Sequence, residues 1–246
     1  NGKHGFSGAV LASESEGGWK YRLKLRDGSQ MTFEQYSPNR IKTVQDRFGN
    51  TIEYQYDAGR VSRIVSPHGR HIDLNYDAQN RIISAVDPLG TTWRYEYNAL
   101  GMLAKVIYPD SSFRRYGYKT YGKAPVQQHL LNEIYDQRGN RLLFNEYQET
   151  DLIGTGVITT GEVVRQTLAD GAVYAIQYDH FDGTNNGTLV THPDGSQRRV
   201  VFNGGLYPAS DTLAYGTSLA QEYKFERDAD GRMLARIDPL GRRTEY

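Results

Sequence analysis

The chain is 246 residues long, with 29 basic and 29 acidic residues, 26 glycines, 19 tyrosines and no cysteine. The charge balance gives no general electrostatic reason to bind nucleic acid or an acidic membrane. The lack of cysteine excludes disulfides and thiolate chemistry and leaves the redox compartment open. Abundant tyrosine and glycine, only 3 methionines and no apolar run long enough for a transmembrane helix favour β-strands joined by many turns.

Residues 1–18 are glycine-rich, with a short apolar run from Ala9 to Ala12 that suits a strand. The opening NGKHGFSG has no methionine, basic stretch or apolar segment of the signal-peptide kind. From Trp19 to Leu25 apolar and polar residues alternate, Asp27-Gly28 turns the chain, Met31, Phe33 and Gln35 alternate again, and Ser37-Pro38-Asn39-Arg40 is a second turn.

The organising stretch runs from Asp46 to Pro109. Tyr56, Tyr76, Tyr97 and Tyr118 follow one another at 20, 21 and 21 residues, and Gly28, Gly49, Gly69 and Gly90 at 21, 20 and 21. A fixed period of this kind means stacked copies of one unit. In each copy a glycine turn leads into an alternating run (TIEYQY, HIDLNY or TWRYEY). An Asp or Asn turn follows, headed by Asp57, Asp77 or Asn98, and then a return run. Asp and Asn suit the turns because their side-chain oxygens accept from backbone N–H groups two residues on. Each unit is thus a hairpin with one apolar side, which is marginal alone and must pair or stack with its neighbours.

Beyond Tyr118 the spelling loosens. YPDSSFRRYGY (108–118) is a variant opening, 119–128 reads as an inserted loop, YDQRGNR (135–141) as a displaced copy, and 150–162 as a second irregularity. Asp170-Gly171 opens another hairpin, 180–187 is a polar loop, and NGGLYP (203–208) reads as a break. YKFERDADGRMLARI (223–237) returns to the regular form, with Asp228 and Gly231 in its turn and Asp238 opening the next. The expectation is a single all-β repeat region over 1–246, with regular repeats at 19–118 and 223–246 and irregular ones at 119–222, built as an array of stacked antiparallel hairpins in one continuous sheet. DPLGRRTEY stops in mid-strand, so the chain is expected to be part of a longer array, truncated at its C-terminal side.

Three segments, DAGRV (57–61), NALGML (98–103) and DADGRML (228–234), together with DPLG at 87–90 and 238–241, resemble the YD repeat of the Rhs/YD-repeat family. Related shells occur in insecticidal toxin complexes and teneurins. The resemblance implies a curved, spiralling sheet forming part of a hollow β-cocoon. It implies a non-catalytic shell segment of a polymorphic toxin that encloses and delivers a C-terminal toxin domain, as in bacterial competition. The implied partners are the remainder of the parent shell, the enclosed toxin and a delivery-system protein, in a product secreted or delivered from a bacterial cell or held at its surface. No cofactor, nucleic acid or membrane insertion is implied. The family's autoproteolytic Asp lies near D-P-x-G-L. Here Asp87 and Asp238 are followed by Gly90-Thr91 and Gly241-Arg242, so both read as turn residues and no cleavage is expected.

Other chemistry weighs less. His68, His71 and Asp73 are too few for a metal site. DGTNNG (182–187) hints at a calcium loop, but Pro193 stands where that loop needs an acid. The recurring Asp residues show no unique carboxylate pair for hydrolysis. Arg60, Arg81, Arg94, Arg114, Arg115, Arg198 and Arg199 are offset by acids, which suggests cross-strand pairing. The aromatic residues are expected to stack across neighbouring strands. The alternative function is an extracellular or cell-surface adhesion module that binds glycan or protein through exposed aromatics, and Tyr121, Phe181 and Tyr207 in the irregular loops are its candidate contacts.

Overall fold

The computed structural model describes residues 9–13, 21–34, 39–122, 127–152, 156–179 and 186–246, with backbone alone at 150–152 and 156–159. The described residues fall into two compact units, 1–113 and 114–246. All regular structure is β. The strands of the first unit are β1 (Val10–Ser13), β2 (Tyr21–Lys24), β3 (Gln30–Glu34), β4 (Arg40–Gln45), β5 (Thr51–Asp57), β6 (Arg60–Val65), β7 (His71–Tyr76), β8 (Ile82–Val86), β9 (Thr92–Tyr97) and β10 (Leu103–Ile107). β11 (Phe113–Tyr121) leads into the second unit. There follow β12 (Gln128–Tyr135), β13 (Arg141–Leu152), β14 (Gly156–Leu168), β15 (Val173–Asp179), β16 (Asn186–Thr191), β17 (Gln197–Phe202), β18 (Pro208–Leu213), β19 (Gln221–Arg227), β20 (Met233–Ile237) and β21 (Arg243–Glu245).

Within each unit every strand pairs antiparallel with the strand before it and the strand after it. Apart from β12 with β14, strands of one unit contact only these neighbours. This is the nearest-neighbour arrangement expected of a repeat array.

One turn recurs at the strand junctions. In Asp87–Thr91 the N–H of Asp87 donates to Thr91 O at 3.0 Å, and the N–H of Gly90 donates to Asp87 O at 3.0 Å. The same pair of bonds closes the turns headed by Leu25, Asp46, Ser66, Asp77, Asn98, Tyr108, Asp136, Leu168, His192, Asn203, Asp228 and Asp238. The fourth residue takes a positive φ, +81° at Gly90 and +80° at Gly231, which glycine adopts without the steric cost of a Cβ. Non-glycine residues fill that position at Asn80 (φ 63°), Ser111 (φ 68°) and Leu206 (φ 61°).

Three expectations change here. Of the segment 119–128, residues 119–121 and 128 extend a hairpin, with Thr120 opposite His129 and Tyr121 opposite Gln128, while 123–126 lie outside the described residues. Residues 150–152 and 156–162 belong to the long antiparallel pair of β13 and β14, strands of 12 and 13 residues that pair from Leu143 with Leu168 to Leu152 with Gly156. The expected break at 203–208 is a regular turn. Leu206 supplies its positive φ, so the glycine signal was displaced by one or two positions. The polar loop at 180–185 lies outside the described residues.

Candidate interaction face

The turn heads are built by side-chain acceptors. Asp77 Oδ1 accepts the N–H groups of Gln79 and Arg81, both at 2.9 Å, and Oδ2 accepts Arg81 Nε at 2.7 Å. The Arg81 backbone N–H is the main cause that holds the Asp77 carboxyl below its ordinary value, with the Arg81 side chain adding to it. Asp87, Asp228 and Asp238 accept the same two backbone N–H groups in their own turns at 2.8–3.0 Å. A second class of turn carries its acid at the third position. Asp110 accepts Ser112 Oγ at 2.6 Å and Ser112 N–H at 2.9 Å, and the hydroxyl is the larger cause of its lowered pKa. Asp57 differs from the other expected heads. It pairs with Arg60 across a two-residue turn in which Ala58 and Gly59 both have positive φ, at 46° and 83°. An Ala-Gly pair there makes a shorter loop than the recurring turn.

The repeat tyrosines have a role that alternation alone did not show. Between β8 and β9 the backbone register runs from Val86–Thr92 to Ser84–Arg94. Two residues further on, the Tyr97 hydroxyl donates to Ile82 O at 2.7 Å. Tyr76 donates in the same way to Val61 O at 2.8 Å, Tyr178 to Val163 O at 3.1 Å, Tyr56 to Ile41 O and Tyr147 to Leu131 O. Each acceptor lies near a shift of register inside its own hairpin, such as that between Asn75 and Tyr76 where Ile82 sits opposite Tyr76. The tyrosine therefore joins one hairpin to the preceding one beyond the residue pairs that the ladder supplies. Burial raises the pKa of the Tyr97, Tyr56 and Tyr178 hydroxyls, so they stay protonated as donors.

The rings of Tyr56, Tyr76 and Tyr97 have a guanidinium over them in place of the expected aromatic neighbour: Arg40 over Tyr56 at 4.0 Å, Arg60 over Tyr76 at 5.0 Å and Arg81 over Tyr97 at 4.5 Å. Each of these arginines immediately precedes the residue whose carbonyl the tyrosine hydroxyl reaches. One dipeptide (Arg40-Ile41, Arg60-Val61 or Arg81-Ile82) thus grips both ends of the phenol. Acids do pair across strands elsewhere, as in Arg63 with Asp73 at 2.5 and 2.8 Å and Arg198 with Asp211 at 2.8 and 2.6 Å.

The two faces of the first unit differ sharply. The registers place Ile52, Tyr54, Ile64, Ile72, Leu74 and Trp93 on one face, and Glu53, Arg63, Asp73, Ser84 and Arg94 on the other. No described residue of this unit is buried. Ile52 and Ile72 remain 38% and 43% exposed on the apolar face, and the turn residues Phe48 and Leu89 are 75% and 90% exposed. A groove of about 560 Å³ runs between Ile52, Ile64, Ile72, Pro88 and Leu89. The described residues of this unit leave this apolar sheet face uncovered.

The candidate contact residues are placed differently from the expectation. Tyr121 is 3% exposed, with its ring edge-on to Tyr147 at 6.1 Å and the Lys119 ammonium 4.8 Å from its centre, so it offers no free ring. It is buried because β11 extends into what read as a loop. Tyr207 is half-buried, packed on the turn of Gly231 beneath the Arg227 guanidinium at 5.1 Å. Phe181 lies outside the described residues, as does most of the 182–187 stretch. His71 Nε2 is 3.7 Å from Asp73 Oδ2, while Arg63 holds that carboxylate through two bonds. Among the described residues no group of three or more His, Cys, Asp or Glu is placed to hold a metal.

The geometry defines a class: an array of sequentially paired β-hairpins, five of which are joined to the preceding strand by a tyrosine hydroxyl among the described residues. Residues 76–112 match the RHS Repeat family model, from Tyr76 through the turns headed by Asp77, Asp87, Asn98 and Tyr108. The chain thus carries an RHS repeat over these residues and is similar to Rhs-type proteins. It is 26% identical over 268 aligned residues to "Probable deoxyribonuclease RhsB" of Dickeya dadantii (strain 3937), a match that covers 82% of this chain and 19% of that protein. The chain thus spans about a fifth of that relative's length. Among solved structures it is similar to the TcdB2-TccC3-Cdc42 complex, with a TM-score of 0.41, 11% identity and coverage of 93% of this chain and 16% of that one. It is also similar to a Photorhabdus luminescens Tc holotoxin pore, with a TM-score of 0.25, 13% identity and coverage of 95% and 19%.

Proposed function

We propose that this chain is a segment of the wall of an Rhs-type toxin shell, and that the complete shell encloses and helps deliver a C-terminal toxin domain absent from this chain. The observation that carries the reading is the two-faced sheet of the first unit. Its strands contact only their sequence neighbours, and its apolar face has no cover of its own. Such a sheet gains stability by extension, since each added hairpin covers an edge. Its partners are the adjoining repeats of the parent shell, the enclosed toxin and a delivery-system protein. Its place is in a product secreted or delivered from a bacterial cell. The nuclease activity in the relative's name belongs, on this reading, to a part of that protein outside the matched repeats.

The adhesion reading draws less support, because Tyr121 is buried and Tyr207 is packed on Gly231. Limited proteolysis of the full-length parent under native conditions, followed by mass analysis, separates the two. A resistant shell that retains a distinct C-terminal fragment is the expected result. Cleavage throughout the array with no retained fragment would refute enclosure and leave an open adhesive array.

A further inference from the structure

The described residues contain two Asn-Gly pairs in very different settings. Asn186-Gly187 lies in β16, between β15 and β17, with Gly187 opposite both Asp179 and Val201. Gly187 is buried, and a Cβ on it would sit 3.1 Å from Asp179 Oδ2 and 3.2 Å from Val200 O. The peptide there has no room to swing. Asn203-Gly204 heads an exposed turn. A Cβ on Gly204 would meet nothing within 4 Å, and none of the turn's backbone hydrogen bonds uses the Gly204 N–H. Asn203 Oδ1 accepts the N–H groups of Gly205 at 3.0 Å and Tyr207 at 3.1 Å, which draws electron density away from Cγ. Leu206 holds a positive φ of 61° without being glycine, a strain that makes local opening of this turn cheaper.

We propose that Asn203 is a site of spontaneous deamidation. The Gly204 amide nitrogen attacks Cγ of Asn203 and loses its proton to water. The side-chain nitrogen takes up a proton and leaves as ammonia, and a succinimide remains. Water opens the ring at one of its two carbonyls, giving aspartate or isoaspartate. The aspartate product fits the turn, because Asp46, Asp77, Asp87, Asp136, Asp228 and Asp238 head the same turn with the same two acceptor bonds. The isoaspartate product adds a methylene to the backbone between the head and Gly204. It disrupts the bonds from Asn203 N–H to Tyr207 O and from Leu206 N–H to Asn203 O, both 2.9 Å. The modification therefore either converts the turn to the acidic form used elsewhere in the array or unlatches β17 from β18.

The test is peptide mapping by mass spectrometry of the full chain after incubation at a series of pH values above neutrality. Asn203 is expected to convert at least about tenfold faster than Asn186, the factor that an opening cost of about 1.4 kcal/mol imposes on the laddered site. Conversion should accelerate with pH and be suppressed in Gly204→Ala, whose Cβ hinders the attacking nitrogen and meets no other group. Conversion at 203 no faster than at 186, or unchanged by Gly204→Ala, overturns the proposal. The wild-type comparison of the two sites stands even if the variant folds poorly.

Discussion

Replacing Tyr97 by Phe removes one oxygen and leaves the ring in place under Arg81, so it isolates the bond to Ile82 O. A net hydrogen bond between neutral groups is worth about 0.5–1.5 kcal/mol, and a fully buried carbonyl left bare costs about 1–3. Tyr97 and Ile82 are only half-buried. Water can reach the freed carbonyl in part, so the cost should be about 1 kcal/mol. In a nearest-neighbour array that loss falls on one seam. Hydrogen exchange of the β8 and β9 amides should then speed up by about fivefold, with the β6–β7 seam unchanged. Tyr97→Leu also gives up the cation–π contact, adding about 0.5–1 kcal/mol and a further few-fold. Tyr95→Phe, on the same strand but with no hydroxyl bond among the described residues, should match wild type. Wild-type exchange at the β8–β9 seam in Tyr97→Phe, or an equal acceleration in Tyr95→Phe, would refute the idea that the hydroxyl joins the hairpins.

Gly231→Ala should cost more than Gly90→Ala although both residues sit at φ of +80° or +81° in the same turn. Each pays about 1–2 kcal/mol for a left-handed alanine. Only at Gly231 does the new Cβ fall 2.6 Å from the Tyr207 ring, which must then leave Arg227 and add about 1 kcal/mol. Equal urea midpoints for the two variants would rule out the packing term. Acid should weaken the turns in a defined direction. Asp46, Asp77 and Asp110 are held below the ordinary aspartate value by their hydrogen bonds, so their contribution is complete above the unfolded value of about 3.9 and is lost as pH falls through the folded one. Thermal midpoints should be flat from about pH 7 to 5 and drop below about pH 4, and Asp77→Asn should lessen that drop; an unchanged acid profile in Asp77→Asn would remove this turn from the account. Ile72→Thr with Leu89→Ser, on the uncovered apolar face, should shift the stability of this chain by no more than about 1 kcal/mol. The same pair should raise protease sensitivity in the full-length parent if the face is covered there, and equal sensitivity would count against a covered face.

The repeat period was legible because each hairpin spells the same turn. Gly49, Gly69 and Gly90 stand where the chain needs a positive φ, and Asp77, Asp87, Asp228 and Asp238 stand where two backbone N–H groups need an acceptor. Where another residue can meet the same need, the spelling misleads. Leu206 adopts the glycine conformation and hides a regular turn inside NGGLYP, while Asp57 keeps the spelling but closes a two-residue loop. The period also located the tyrosines without revealing their reach. Alternation fixes the face of Tyr97, but its bond to Ile82 depends on where the β8–β9 register ends and on the shift between Asn75 and Tyr76. Those offsets are set by pairing between segments about 15 residues apart, and no local pattern encodes them. The same reason explains Tyr121. Its neighbours read as a loop, and only the extension of β11 against β12, with Tyr147 on the next strand, brings a cover over its ring. What the sequence conveyed was the chemistry of each junction. What required the structure was the offset between hairpins, at which Tyr56, Tyr76 and Tyr97 each bring a hydroxyl to a carbonyl of the preceding strand.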